Sequence, residues 1–372
     1  MSGDGPVSGG GPVSDRHFNR FPGGLPDRLL DLDDLSLLEE LGRPTLIRVP
    51  GAGEERPRAV ACLLHGDEDT GYCAVLRILR RRRTYPFDLY VVIGNVQAAL
   101  ADGGFRHRYL DGQEDFNRIW GLPPTTRQRL AADGMLGELR AAGIGALVDV
   151  HNNSGANPFY AIVTRLREDS INLATTFTTT LLLWELGVHT LMEALDDVCP
   201  AVAVECGRPG RSDALSFAVD GLRRYLGPAT SRDRLERDFD LLGDLLKVTV
   251  RREVRFTFGG DLGQDVDFVV EQDADAHNFR RVPAGHVLGR IPDGEANPLV
   301  VCGPGGEDVT DRFVAVSGGE VVLTRPVTPV MMTRTAEAAR RDCIFYIATE
   351  MPATSLVDAT GPSWIVRRSG HR

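Results

Sequence analysis

Three side chains at the ends of apolar runs have the types and spacing to hold a metal ion. The run Ala59-Val60-Ala61-Cys62-Leu63-Leu64 leads into His65-Gly66-Asp67-Glu68, so an imidazole and a carboxylate stand three residues apart where a buried-strand pattern stops. At that spacing both can reach one cation from a single turn. A third neutral ligand would complete a catalytic zinc site with its fourth position left to water. Residues 145–150 form another buried-strand pattern and deliver His151 at their carboxyl end. Asp149 precedes it by two residues, hence on the same face of the strand, where it can orient the imidazole or support a neighbouring ligand. Residues 201–204 are apolar and end in Glu205. Burying that acid is costly without a partner, and service as a general base beside a metal-activated water would supply the reason.

The elements that must position these groups alternate along the chain. Strand patterns at 45–49, 59–64, 88–96, 145–150, 159–163 and 201–205 are interleaved with helical spacing at 31–41, from 74 to 79, at 126–142, 171–186 and 213–226. Residues 188–192 read as a short strand, and 231–246 as a helix leading away from the series. Because His65, Asn117, Arg118, His151 and Glu205 all follow strands of one αβ series, a doubly wound sheet would gather them at one edge. The loop after 88–96 is dense in fixed-geometry donors: Arg106, His107, Arg108, Asn117 and Arg118, with Asp111 and Asp115 among them. Arginine and asparagine can grip a carboxylate or stabilise an oxyanion. The same loop can also be read as held together by its own Asp–Arg pairs. The basic run 80–83 reads as a solvated helix end.

From about residue 249 the character changes to short alternating strands (254–258, 266–270, 287–291, 299–302, 321–323, 344–348) separated by Gly, Pro and Asp. The expected fold class is therefore α/β: a mixed, mostly parallel sheet flanked by helices, with a smaller β-rich carboxyl-terminal domain. The boundaries expected are 1–27, a Gly- and Pro-rich disordered tail without an apolar h-region; 28–247, the α/β domain; and 248–372, the β-rich domain.

Composition bounds the function. With 372 residues and 42% hydrophobic content the chain can bury a large core. A formal charge of −10 argues against a nucleic-acid partner, whose phosphates require clustered positive charge. No apolar run approaches the roughly 18 residues of a membrane span. Six scattered cysteines without a CxxC pair read as reduced thiols of a cytoplasmic protein. No pattern fixes the oligomeric state, and a homo-oligomer stays open.

Taken together, His65-Gly66-Asp67-Glu68, Asn95, Arg108-Tyr109-Leu110-Asp111, Asp115-Phe116-Asn117-Arg118, Asp149-Val150-His151-Asn152 and Val204-Glu205-Cys206-Gly207 resemble, in order, the motifs of the succinylglutamate desuccinylase/aspartoacylase family, within the zinc carboxypeptidase-like superfamily. The resemblance covers roughly residues 45–226, more loosely the β-rich remainder. It implies one zinc ion per chain (Zn2+) on His65, Glu68 and His151, with Glu205 as general base and then proton donor. It implies that Arg108 polarises the scissile carbonyl and that Asn117 and Arg118 hold a substrate carboxylate. The activity implied is hydrolysis of the amide of an N-acyl amino acid or similar small carboxylate-bearing amide. The alternatives are a carboxypeptidase acting on short peptides and, further off, a non-catalytic binding protein on this scaffold.

Two departures bear on the substrate. Nine residues separate Arg108 from Asn117, which leaves Arg106 and His107 as competitors for the carbonyl. Where aspartoacylase presents an arginine, this chain has the acids Glu193, Asp196 and Asp197, so Arg208 and Arg211 become the candidates for binding an acidic acyl group. In the β-rich part, the turn Pro283-Ala284-Gly285-His286-Val287-Leu288-Gly289 resembles one in biotinyl/lipoyl-like domains but lacks a lysine. His277 and His286 are expected to be structural or surface residues.

Overall fold

A computed structural model describes residues 13–14, 17–185, 187–227 and 239–351. The chain divides into two compact units. The first comprises residues up to 152 together with 167–177 and 187–235; the second takes 153–166, 178–186 and the chain from 236 onward.

In the first unit, consecutive neighbours across the sheet are Asn19–Phe21, Thr45–Val49, Phe87–Ile93, Glu55–Cys62, Ala146–His151 and Ala201–Glu205. Among these six, only the Thr45–Val49 pairing with Phe87–Ile93 is antiparallel. The mixed, mainly parallel α/β architecture expected from the alternation is what forms. The central strands are apolar at nearly every position because helices cover the sheet: Val60, Val91, Val148 and Val202 are all buried. Glu55–Cys62 has Phe87–Ile93, the next strand in sequence, on one side and Ala146–His151 on the other. The winding therefore reverses beside Glu55–Cys62, and an open parallel sheet forms its crevice at such a reversal, beyond the carboxyl ends of the strands.

Local chemistry sets the helix limits. Asp33 caps Asp34–Leu41 by accepting from the amides of Leu35 and Ser36 at 3.1 and 3.0 Å, and Gly42 closes that helix in the left-handed region. Thr126 caps Arg127–Ala141. Ser212–Tyr225 packs against Asp69–Leu79.

Four local expectations are corrected. Residues 171–186 are not one helix: Glu168–Thr175 is helical, Thr180–Leu183 is a strand, and the threonines between them are stiff at χ1 and disfavour a continuing helix. Residues 188–192 are not a strand, because Thr190 and Glu193 form a reciprocal capping box that starts the helix Leu191–Leu195. Of the expected helix 231–246, residues 231–238 lie outside the described residues, while Asp240–Val250 is a strand. The expected disordered tail 1–27 is corrected where it is described: Val13–Ser14 pairs with Asn19–Phe21, Asn19–Phe21 pairs in the sheet, and Phe18 and Phe21 are buried, while 1–12 and 15–16 lie outside the described residues.

In the second unit, Tyr160–Val163, Thr180–Leu183 and Asp240–Val250 run parallel, and Asp240–Val250 continues antiparallel to Phe345–Glu350 and to Leu299–Cys302. A separate five-stranded sheet has the order Phe256–Phe258, Phe268–Val270, Val287–Arg290, Glu320–Leu323, Val314–Ser317. Val248, Phe268, Leu299, Val301, Val321 and Phe345 belong to one apolar core of this unit. The strands Val314–Ser317 and Thr328–Val330 are additional to those read from the sequence.

Candidate active site

Three adjacent parallel strands end together. Cys62 lies opposite Val150, and His151 lies opposite Glu205. Beyond Cys62 the chain turns through Leu63, which sits at φ 56, a left-handed conformation that costs a non-glycine residue roughly 1–2 kcal/mol. Burial of its side chain and a 2.7 Å hydrogen bond from the Asn95 amide to its carbonyl hold it there. Gly66 lets the arginine loop lie against this turn. Its amide donates to the Arg108 carbonyl at 2.9 Å, and a Cβ there would come within 2.5 Å of the Ala99 nitrogen and 2.6 Å of the His107 carbonyl oxygen.

Glu68 is the centre of the cluster. Its Oε1 lies 2.7 Å from His65 Nδ1 and its Oε2 lies 2.8 Å from His151 Nδ1, and Oε2 also accepts from the Asn152 amide at 3.1 Å. All three side chains are buried. The far nitrogens are held by carboxylates: His65 Nε2 is 3.0 Å from Asp115 Oδ1, and His151 Nε2 is 2.8 Å from Asp149 Oδ2. Both imidazoles thus turn Nδ1 inward with Nε2 anchored on an acid, the arrangement in which outer carboxylates orient metal-ligating histidines.

Burial acts to lower the pKa of both imidazoles, yet the carboxylates facing them outweigh it. His151 is held well above its usual range by Asp149 and Glu68, and His65 is raised by Glu68 and Asp115. Burial would raise Glu68 and Asp115, but the neighbouring imidazoles, and for Asp115 also Arg108, pull both carboxyls far below the usual range. The three acids Glu68, Asp115 and Asp149 thus face the two imidazoles and the Arg108 guanidinium. The two Nδ1 atoms and the Glu68 carboxylate, whose ligand atoms lie within 4.8 Å of one another, form a buried two-nitrogen, one-carboxylate group that could hold a metal ion.

Glu205 ends its strand beside His151 and is 7% exposed. Burial pushes its carboxyl up to about 8; the imidazoles of His151 and His65 oppose that rise, while Glu68 and Asp149 add to it. Arg108 donates through Nε to Asp115 Oδ2 at 3.0 Å and brings Nη1 to 3.9 Å from Glu68 Oε1. Its competitors lie otherwise: Arg106 is exposed, and His107 is 2.7 Å from Asp102.

Asn117 does not present its amide for a ligand. Its Nδ2 lies between His151 Nε2 (3.2 Å) and Asp149 Oδ2 (3.5 Å), and its Oδ1 accepts from the Leu191 amide at 3.0 Å. The neighbouring Arg118 is half-buried and donates to the Asn117 carbonyl. Arg208 is half-buried in the turn after Glu205 and makes no ion pair among the described residues. Arg211 is exposed and chelated by Asp213 at 2.8 and 2.9 Å. Glu193, Asp196 and Asp197 are engaged with Thr190, Arg167 and Arg140 respectively. Two functional positions had no role assigned from the sequence: Asp115, which joins His65 to Arg108, and Asn152, whose side chain ties Thr70 to the Gly207 carbonyl.

Neither a protein-family model nor a curated protein sequence matches the chain. Solved structures do. A succinylglutamate desuccinylase/aspartoacylase from Rhodobacter sphaeroides superposes with a TM-score of 0.53 at 14% identity, covering 82% of this chain and 88% of its own. The succinylglutamate desuccinylase of Chromobacterium violaceum gives 0.51 at 15% identity with the same coverage. The ectoine utilization protein EutE (DoeB) of Ruegeria pomeroyi gives 0.50 at 15%, again covering 82% and 88%. The chain has the fold that these desuccinylase and aspartoacylase structures share.

Proposed function

We propose that this chain is a zinc-dependent deacylase that hydrolyses the amide bond of an N-acyl amino acid or a similar small carboxylate-bearing amide. The observation that carries this reading is the convergence of His65 Nδ1, His151 Nδ1 and the Glu68 carboxylate at the ends of adjacent parallel strands, with the buried carboxyl of Glu205 on the next strand. The similar structures include desuccinylases, which agrees with an acylated amine as substrate.

His65, Glu68 and His151 would hold the ion, and when bound it lowers the pKa of water to about 7 and polarises a carbonyl. Glu205 takes one proton from the attacking water onto a carboxylate oxygen. It then returns that proton to the amide nitrogen as the C–N bond breaks, so the products are a carboxylic acid and an amine. Its burial favours the protonated form, which suits an acid that must also give the proton back near neutral pH. Arg108, fixed by Asp115, stabilises the negative charge that develops on the carbonyl oxygen. Arg118 and Arg208 are the cations available for the substrate's carboxylate. Asn117 acts through His151 and Asp149, holding the imidazole's outer side.

The test is zinc analysis of the purified protein together with amine release from a panel of N-acetyl, N-succinyl and N-formyl amino acids and dipeptides. About one zinc at this cluster with turnover of an acylated amino acid, and a fall of about 10²–10⁴ in kcat for Glu205→Gln with zinc retained, is the expected result. Turnover of dipeptides alone would replace the deacylase with a carboxypeptidase.

A further inference from the structure

We propose that Glu271, His277 and His286 form a second metal site, for a divalent ion of the zinc class, within the β-rich unit and independent of the cluster around Glu68. In sequence these residues are six and nine positions apart and match no ligand-spacing motif. In the structure they meet. His277 Nε2 and His286 Nε2 lie 3.3 and 3.2 Å from the same atom, Glu271 Oε2, with the two rings 4.5 Å apart and nearly perpendicular. Their ligand atoms all fall within 4.8 Å of one another.

The separations carry the argument. Two nitrogen or oxygen ligands at about 2.05 Å from a tetrahedral ion are about 3.3 Å apart, so the Nε2–Oε2 distances are those of two edges of a zinc tetrahedron. Hydrogen bonds from two neutral imidazoles would give the same distances only if both rings carried the proton on Nε2, whereas an ion requires both Nε2 atoms bare. Metal titration separates the two.

Each ligand comes from a different, well-anchored segment, as a preformed site requires. Glu271 directly follows the strand Phe268–Val270, and its amide donates to the Leu288 carbonyl at 3.0 Å. His277 closes the helical turn Ala274–His277. His286 follows Gly285, which turns at φ 82, and the Leu323 amide holds the His286 carbonyl at 3.0 Å. One tetrahedral position remains for water. An ion there ties the strand end, the helical turn and the 283–287 turn together, in addition to the apolar packing that joins Val270, Ala274, Val282 and Leu288.

The experiment uses the full chain, stripped with chelator, saturated with zinc, freed of excess ion and assayed for metal per chain. Wild type should retain two zinc ions. His277→Ala/His286→Ala should retain one, as should His65→Ala/His151→Ala, so loss of either site is read separately from the other. Glu271→Gln, a milder change, should lower zinc affinity at the second site alone, read by competition with a chromogenic chelator. Circular dichroism of each variant guards against loss of fold. If wild type retains no more zinc than His277→Ala/His286→Ala, the second site does not exist, whatever the first cluster binds.

Discussion

Replacing the Glu205 carboxyl by an amide should change how the metal-free protein responds to pH, in a direction that the burial of this side chain dictates. With its carboxyl raised to about 8 against an ordinary 4.5, the folded protein keeps a proton on Glu205 that the unfolded chain has released. The stability contributed by this raised pKa is fully present below about 4.5 and is lost as pH rises through 8. Each unit of that interval is worth about 1.4 kcal/mol, so between pH 5 and 8 wild type should lose on the order of 4 kcal/mol relative to Glu205→Gln. His65 and His151 also have raised values and so carry the same sign. They are common to both proteins, and the difference isolates Glu205 and its coupling to them. The assay is urea denaturation in chelator at half-unit steps of pH, with wild type and variant in parallel. Wild-type and variant curves that stay parallel from pH 5 to 8 would refute the reasoning, since Glu205 would then be ionised in the folded protein despite its burial. Saturating zinc should flatten the difference, because a nearby cation favours the carboxylate.

Asp115→Asn removes the anion that holds His65 Nε2 and anchors Arg108, and should weaken zinc binding by about 10- to 100-fold in chelator competition while the fold persists. Arg108→Ala should lower kcat by about 10²–10³ with little change in KM if the guanidinium meets charge that develops only in the transition state; a rise in KM alone would assign it to substrate binding instead. Gly66→Ala places a methyl within 2.6 Å of two backbone atoms and should cost about 2 kcal/mol or more in urea denaturation. Gly137→Ala, exposed within Arg127–Ala141 with nothing near the added methyl, should gain about 0.5–1 kcal/mol in the same assay.

The alternation of apolar runs with helical spacing was enough to place His65, His151 and Glu205 at one sheet edge, because a parallel sheet covered on both faces leaves strands nearly free of polar residues until they end. The two-residue period of its strand puts Asp149 on the face of His151, and its carboxylate lies 2.8 Å from His151 Nε2. The helix at 171–186 failed because its spacing is apolar enough for either period, and only the threonine run from 175 to 180 argues against continuation. The strand at 188–192 failed because the capping box at Thr190 and Glu193 lies outside any hydrophobic pattern.

What stayed hidden depends on chain path rather than on period. Asp115 and Asn117 sit in a loop from 101 to 126 with no repeat to read, so their partners follow only once that loop is laid against the turn at Gly66. Asn117 illustrates the cost of that gap. Its type suits gripping a carboxylate, but the loop carries it beneath His151, where both ends of its amide are engaged by the protein. The histidines 277 and 286 are the same case. A Pro-Ala-Gly turn read alone gives a surface residue, and the pairing of Phe268–Val270 with Val287–Arg290 brings His286 to the Glu271 carboxylate that His277 also reaches. Both clusters show one rule: strand ends announce themselves in sequence, whereas a carboxylate that joins two imidazoles is found only through the tertiary path that delivers it. At Glu68 only the His65 side is local, three residues away, while His151 arrives from a neighbouring strand 83 positions on; at Glu271, His286 arrives 15 positions on, from the strand paired with Phe268–Val270.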